Sequence, residues 1–201
     1  MRTDQWGSVV RTLSHQLDLQ YEQLLGLVFE SPVAWAGRSR PIYVALHTLS
    51  RHRPRWLVEL CKVSALEADR NGRQRINLVD IVSQLEAFGQ RRIQDTIAEF
   101  SPQSPQLEQM IVAFSNQSER YSTDQLIKTI RDRILQGTSV RIDGVVGQPG
   151  AREVAQFLFQ VGFLTARRDE PDGSYEHFSF AERPNLLRAT TNVDEGMSWE
   201  V

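Results

Sequence analysis

The sequence predicts a mainly α fold: a helical bundle first, then a unit of two helices closed by a two-stranded β hairpin. Apolar side chains recur at helical spacing through most of the 201 residues. A hairpin signal, Glu170-Pro171-Asp172-Gly173, lies between two short strand-like runs near the end. The polar run Ser115 to Arg120 separates the two patterns and sets a domain boundary, giving residues 1–117 and 118–201.

The first helix is predicted over Trp6 to Phe29, where Val9, Val10, Leu13, Leu17, Tyr21, Leu24, Leu25 and Val28 fall on one face. Glu30-Ser31-Pro32 ends it, and a loop of small residues around Gly37 follows. A second helix opens at Pro41, since proline suits the first helical position, and runs to Ser50. Arg53-Pro54-Arg55 starts a third. Its inner stripe is Trp56, Leu57, Leu60, Cys61, Ser64, Ala65 and Ala68, and Asn71-Gly72 stops it. Asn77 caps the next helix with Ile76 and Ile81 as a hydrophobic staple, and the stripe continues through Phe88 and Ile97 to Phe100, with a bend or break expected near Gly89. Ser101 to Pro105 is a loop, and Leu107 to Phe114 a short helix.

The second pattern begins with Tyr121-Ser122-Thr123-Asp124-Gln125-Leu126, a capping box (Ser122 with Gln125) inside a staple (Tyr121 with Leu126). That helix carries Leu126, Ile127, Ile130 and Ile134 and stops at Gly137. After the glycines 147 and 150, Ala151 to Val161 forms a helix ending at Gly162. Phe163 to Arg168 and Tyr175 to Phe180 then pair as strands, with Leu164, Ala166, Phe178 and Phe180 toward the core. Helix, helix and a twisted two-stranded wing is the order of a winged helix.

Composition narrows the function. Hydrophobic residues at 40% and charged residues at 24% are ordinary globular usage. The formal charge is -2, with 13 Lys+Arg against 12 Asp+Glu in residues 1–117 and 10 against 13 in 118–201, so neither half carries the basic excess of a nucleic-acid-coating protein. The single cysteine, Cys61, allows no disulfide within the chain and no thiolate zinc site. With no apolar leader at Met1 to Val10 and no stretch long enough to span a bilayer, the expectation is a cytoplasmic protein with no membrane partner.

The chemistry-bearing motifs are sparse. A P-loop needs wrapping glycines followed by Lys and Ser or Thr, yet the cluster Gly144 to Gly150 has no lysine, and Lys62 and Lys128, the only two, fall inside predicted helices. Ile76 to Asp80 has the outline of an Mg2+-binding acidic strand, but the cap and the continuing 3.6 period favour a helix start. His15, His47, His52 and His177 lack metal-ligand spacing, and Cys61 lies on a buried stripe.

Two basic groups remain. Arg38, Arg40 and Arg51, with His52, Arg53 and Arg55, gather charge around a helix N-terminus, which is unfavourable for the helix and so suggests an anion or an acidic partner surface. On the wing unit, Arg152, Gln156 and Gln160 of the second helix and Arg167 and Arg168 of the wing are the DNA-contact candidates.

At Arg53-Pro54-Arg55-Trp56-Leu57-Val58-Glu59-Leu60-Cys61 the sequence resembles the start of the helical lid of bacterial STAND and AAA+ P-loop ATPases, related to origin-recognition initiators and found in defence loci. Ile76 to Ile81, Phe157 to Phe163 and Phe178 to Leu187 follow in the family's order, so the resemblance covers most of Arg40 to Trp199. It implies a lid-like domain over 1–117 and a winged-helix domain with a C-terminal tail over 118–201. It also implies Arg55, and secondarily Arg53, as nucleotide-sensing residues. The family's P-loop, Mg2+-binding acid and first sensor would lie upstream of Met1. The expectation is therefore a regulatory module with no catalytic residue and no cofactor, meeting ATP only if a P-loop domain is supplied by its own upstream segment or by a protein partner. A homo-oligomer is compatible with this. The other reading is a winged-helix DNA-binding transcription regulator with an N-terminal helical dimerisation domain.

Overall fold

The computed structural model describes residues 23–188 and 196–201. The chain divides between Glu86 and Ala87 into two compact units, each a mixture of helices with one small antiparallel sheet. The predicted boundary after residue 117 therefore falls inside the second unit. Leu107, Met110, Ile111 and Phe114 are buried in that unit's core, so the short helix they form belongs with the sequence that follows it.

In the first unit residues 23–28 are helical, and Trp6 to Glu22 of the predicted Trp6 to Phe29 helix lie outside the described residues. Phe29 forms a parallel bridge to Ile76. Strands β1 (Val33–Trp35) and β2 (Arg38–Arg40) form a hairpin where a loop is expected. Its turn is Ala36-Gly37, both at positive φ (52° and 78°), the conformation of a primed two-residue turn. Strands of three residues show no alternation, and Ala-Gly is not a strong turn signal, so nothing in the sequence marks them.

Helix α1 (Ile42–Leu49) has Pro41 as its N-cap at ψ 142° rather than as its first helical residue, and the Ile42 N–H donates to Ser31 Oγ at 3.2 Å. Helix α2 (Pro54–Arg70) does start on its proline, and it buries Trp56, Leu60, Ser64 and Ala68 at four-residue spacing. Leu57 and Cys61 are half-buried and Ala65 is exposed, so the stripe is narrower than expected. Asn71 and Gly72 (φ 67°) end it.

Helix α3 (Leu78–Val82) is capped by Asn77 as expected. Asp80 N–H donates to Asn77 Oδ1 and Asn77 N–H donates to Asp80 Oδ2, both at 3.0 Å. The helix does break, but at Ser83-Gln84 rather than near Gly89; there Ser83 Oγ donates to Asp80 O at 2.9 Å and gives the backbone a partner other than the next turn. Helix α4 (Leu85–Phe100) follows.

The second unit contains α4 beyond Glu86, α5 (Leu107–Val112), β3 (Arg120–Ser122), α6 (Thr123–Ile130) running into a π turn over Arg131–Leu135, α7 (Ala151–Gln160), β4 (Thr165–Asp169), β5 (Tyr175–Phe178) and β6 (Met197–Glu200). Both halves of the expected capping box at α6 are made: Gln125 N–H donates to Ser122 Oγ at 3.2 Å, and Ser122 N–H donates to Gln125 Oε1 at 2.8 Å. The β4–β5 hairpin forms with Ala166 opposite Phe178. It is not a free two-stranded wing, however. Strands β6 and β3 extend it into a four-stranded antiparallel sheet ordered β3-β6-β4-β5.

Trp199 on β6 anchors this sheet. It is fully buried, its ring meets Phe159 edge-on at 5.3 Å, and its Nε1–H donates to Thr123 Oγ1 at 3.0 Å. Around it pack Leu126 and Ile130 of α6 with Leu158 and Phe159 of α7. Helix α7 is buried at Val154, Ala155, Phe157, Leu158 and Phe159, which leaves only one narrow face toward solvent.

Candidate functional site

The candidate basic residues of the first unit lie on β2 and around the start of α2. Arg38 and Arg40 stand on β2, with Arg40 half-buried and its Nε and Nη2 enclosed without a hydrogen-bond partner among the described residues. Arg51 and His52 occupy a tight turn at positive φ (52° and 56°), and Arg53 is the N-cap of α2. The Arg53 guanidinium lies 4.6 Å from the centre of the Trp56 ring. Arg55 is exposed in the first turn of α2, which holds no acidic residue. The ring of His47 sits 5.5 Å from that of His52; burial, then the neighbouring His52, depresses its basicity, so it adds little positive charge at neutral pH. Arg51, Arg53 and Arg55 thus gather at one helix start.

In the second unit the sequence-predicted contacts separate into two groups. Arg152 and Gln160 are exposed on α7. Gln156, between them, is half-buried and tied back, its Nε2 donating to Pro184 O at 2.9 Å while its Oε1 is enclosed without a donor.

Arg167 and Arg168 of β4, by contrast, are consumed inside the sheet surface. Arg167 pairs with Glu200 at 2.7 Å and with Asp169 at 2.9 Å, and lies 3.6 Å over the Tyr175 ring. Arg168 pairs with Glu170 at 3.1 Å and Glu176 at 3.5 Å. Burial alone would raise the Glu200 carboxyl, but hydrogen bonds from His177 and Arg167 outweigh it and hold it at about 2. Asp169 is lowered too, first by its hydrogen bond from Arg120. Both carboxylates stay charged at neutral pH and keep Arg167 neutralised.

The exposed face of α7 forms one wall of a cleft of about 330 Å³. Arg152, Gln156 and Gln160 line it from α7, and Asp143, Leu187 and Arg188 from flanking loops. Phe157 and Ile142 give it an apolar floor. Helical spacing finds the α7 residues. Asp143, Leu187 and Arg188 come from segments without periodicity, and only the tertiary fold brings them alongside.

The α7 N-terminus opens toward this cleft with its charge already satisfied, because Gly150 N–H donates to Glu153 Oε2 at 2.7 Å. Elsewhere, burial pushes the Cys61 thiol up, away from a reactive thiolate. Among the described residues no group of three or more His, Cys, Asp or Glu is placed to hold a metal ion, and no helix is long and apolar enough to cross a membrane. No protein-family model, curated protein or solved structure matches the chain.

Proposed function

We propose that the chain is a non-catalytic, partner-binding module, a helical lid-like segment followed by a winged-helix unit, of the kind that ends P-loop ATPases. The helix, helix, hairpin order of α6, α7 and β4–β5 supports the winged-helix part. The gathering of Arg51, Arg53 and Arg55 at the start of α2 supports a lid that reads a phosphate or an acidic surface brought to it. In that role Arg55, with Arg53, would meet ATP only where a P-loop domain presents it.

The observation that carries the protein-partner reading over DNA is the state of the wing. Its two arginines are each committed to two carboxylates, and the second unit holds 12 Lys+Arg against 16 Asp+Glu. Affinity for duplex DNA rests mainly on cations left available for phosphates. The DNA-binding regulator remains as the second reading because Arg152 and Gln160 stand exposed on α7.

Fluorescence anisotropy on labelled random-sequence duplex at low salt separates the two. The partner reading expects no saturable binding. Tight binding that weakens steeply with salt, and drops by ~1–3 kcal/mol in Arg152→Ala, would instead establish DNA recognition.

A further inference from the structure

We infer that the pocket between α5 and the π turn is a binding site for a small carboxylate that carries a hydroxyl or keto oxygen beside its charged group. The inference stands apart from the partner-binding reading, since neither the wing nor the arginines at the start of α2 enter it.

The pocket measures about 250 Å³ and is bounded by Gln106, Gln109 and Met110 at the start of α5, by Arg133 and Ile134 of the π turn, and by Thr138 beyond it. That is below the roughly 300–1,000 Å³ of a drug-sized site, so its ligand is small. Its charge is one-sided. Arg133 is the only charged residue of the lining, and it makes no hydrogen bond or ion pair with any described residue. The charge of Arg133 is felt at the Tyr121 hydroxyl, but burial pushes that hydroxyl up and keeps it neutral, so the guanidinium stays uncompensated.

The polar rim offers donors. Gln106 Oε1 accepts the Arg141 N–H at 3.1 Å, which fixes the amide and leaves its NH2 group without a partner among the described residues. The Gln109 amide and the Thr138 hydroxyl are without partners among them too, while Thr138 O accepts from Gln148 Nε2 at 3.3 Å and anchors that wall. Arg133 comes from a turn in which Gln136 N–H donates to Arg131 O at 3.2 Å, the wide π spacing that concentrates at functional sites.

A guanidinium fork takes a carboxylate through two parallel bonds, and the flanking amides and hydroxyl suit a second oxygen beside it. Met110 and Ile134, both buried, give the carbon between them an apolar floor. One cation balances one negative charge, whereas a phosphate ester carries more than one at neutral pH.

The test titrates sodium lactate and sodium pyruvate, at constant ionic strength, into the isotope-labelled full chain and follows the side-chain amide signals of Gln106 and Gln109 in proton–nitrogen correlation spectra. Methyl lactate and inorganic phosphate are titrated in parallel, and the carboxylates are repeated on Arg133→Gln. That position is exposed, and an unchanged thermal unfolding profile verifies the variant's fold. The inference expects saturable shifts with both carboxylates, none with the uncharged ester, and binding weakened about tenfold or more in Arg133→Gln. No saturable shift with either carboxylate, equal binding of methyl lactate, or binding unaltered by Arg133→Gln would overturn the site. Phosphate binding more tightly than both carboxylates would overturn the assignment of its ligand.

Discussion

Single residues with unusual demands carry much of the second unit. Glu200 gathers both Arg167 and His177, the latter at 2.7 Å, and its carboxyl is held at about 2 against an ordinary 4.5. Since the folded-state value is the depressed one, this contribution to stability is complete above pH 4.5 and is lost as pH falls from there through about 2. Glu200→Gln is expected to lower stability at pH 7 by on the order of 1–3 kcal/mol, discounted because the side chain keeps some solvent contact, and to flatten the acid limb of stability against pH. Urea unfolding at pH 7 and at pH 3 measures both. An unchanged acid limb would show that the pairing is not held in solution. Trp199→Ala removes the largest fully buried side chain among the described residues, and a loss of roughly 3–5 kcal/mol is expected in the same assay.

Among elements, legibility followed whether the determining contacts were local. The capping box at Ser122 was readable because an N-cap and its N3 partner lie three residues apart and bond each other. Ser122→Ala should cost about 1 kcal/mol and fray α6, visible as reduced hydrogen-exchange protection in its first turn. Asn77 was readable for the same reason, although its reciprocal partner Asp80 had to be seen in place, buried and paired with Arg73. The β4–β5 hairpin was readable from its Pro-Asp-Gly turn. Strands β3 and β6 were not, because Tyr121 opposite Trp199 is a pairing across most of the second unit with no turn between them. The cleft was half legible. Helical spacing gave Arg152, Gln156 and Gln160, but the wing arginines could not be known to be neutralised until Glu200 was placed beside Arg167.

At the scale of the whole molecule, the account depends on the lack of a phosphate grip within the described residues. The glycine-rich segment before α7 turns at Gly144 and Gly147, both near φ 80°. No lysine follows it, and the Glu153 carboxylate holds the Gly150 N–H that a phosphate would otherwise take. Negative charge at that helix start repels a second anion. Lys62 and Lys128 lie within α2 and α6, away from any glycine turn in sequence. On the proposed reading, any energy input comes from a partner or from a supplied P-loop domain. Calorimetric titration of MgATP into the purified chain tests this most directly: the account predicts no tight binding and no turnover, and submicromolar affinity accompanied by hydrolysis would contradict it.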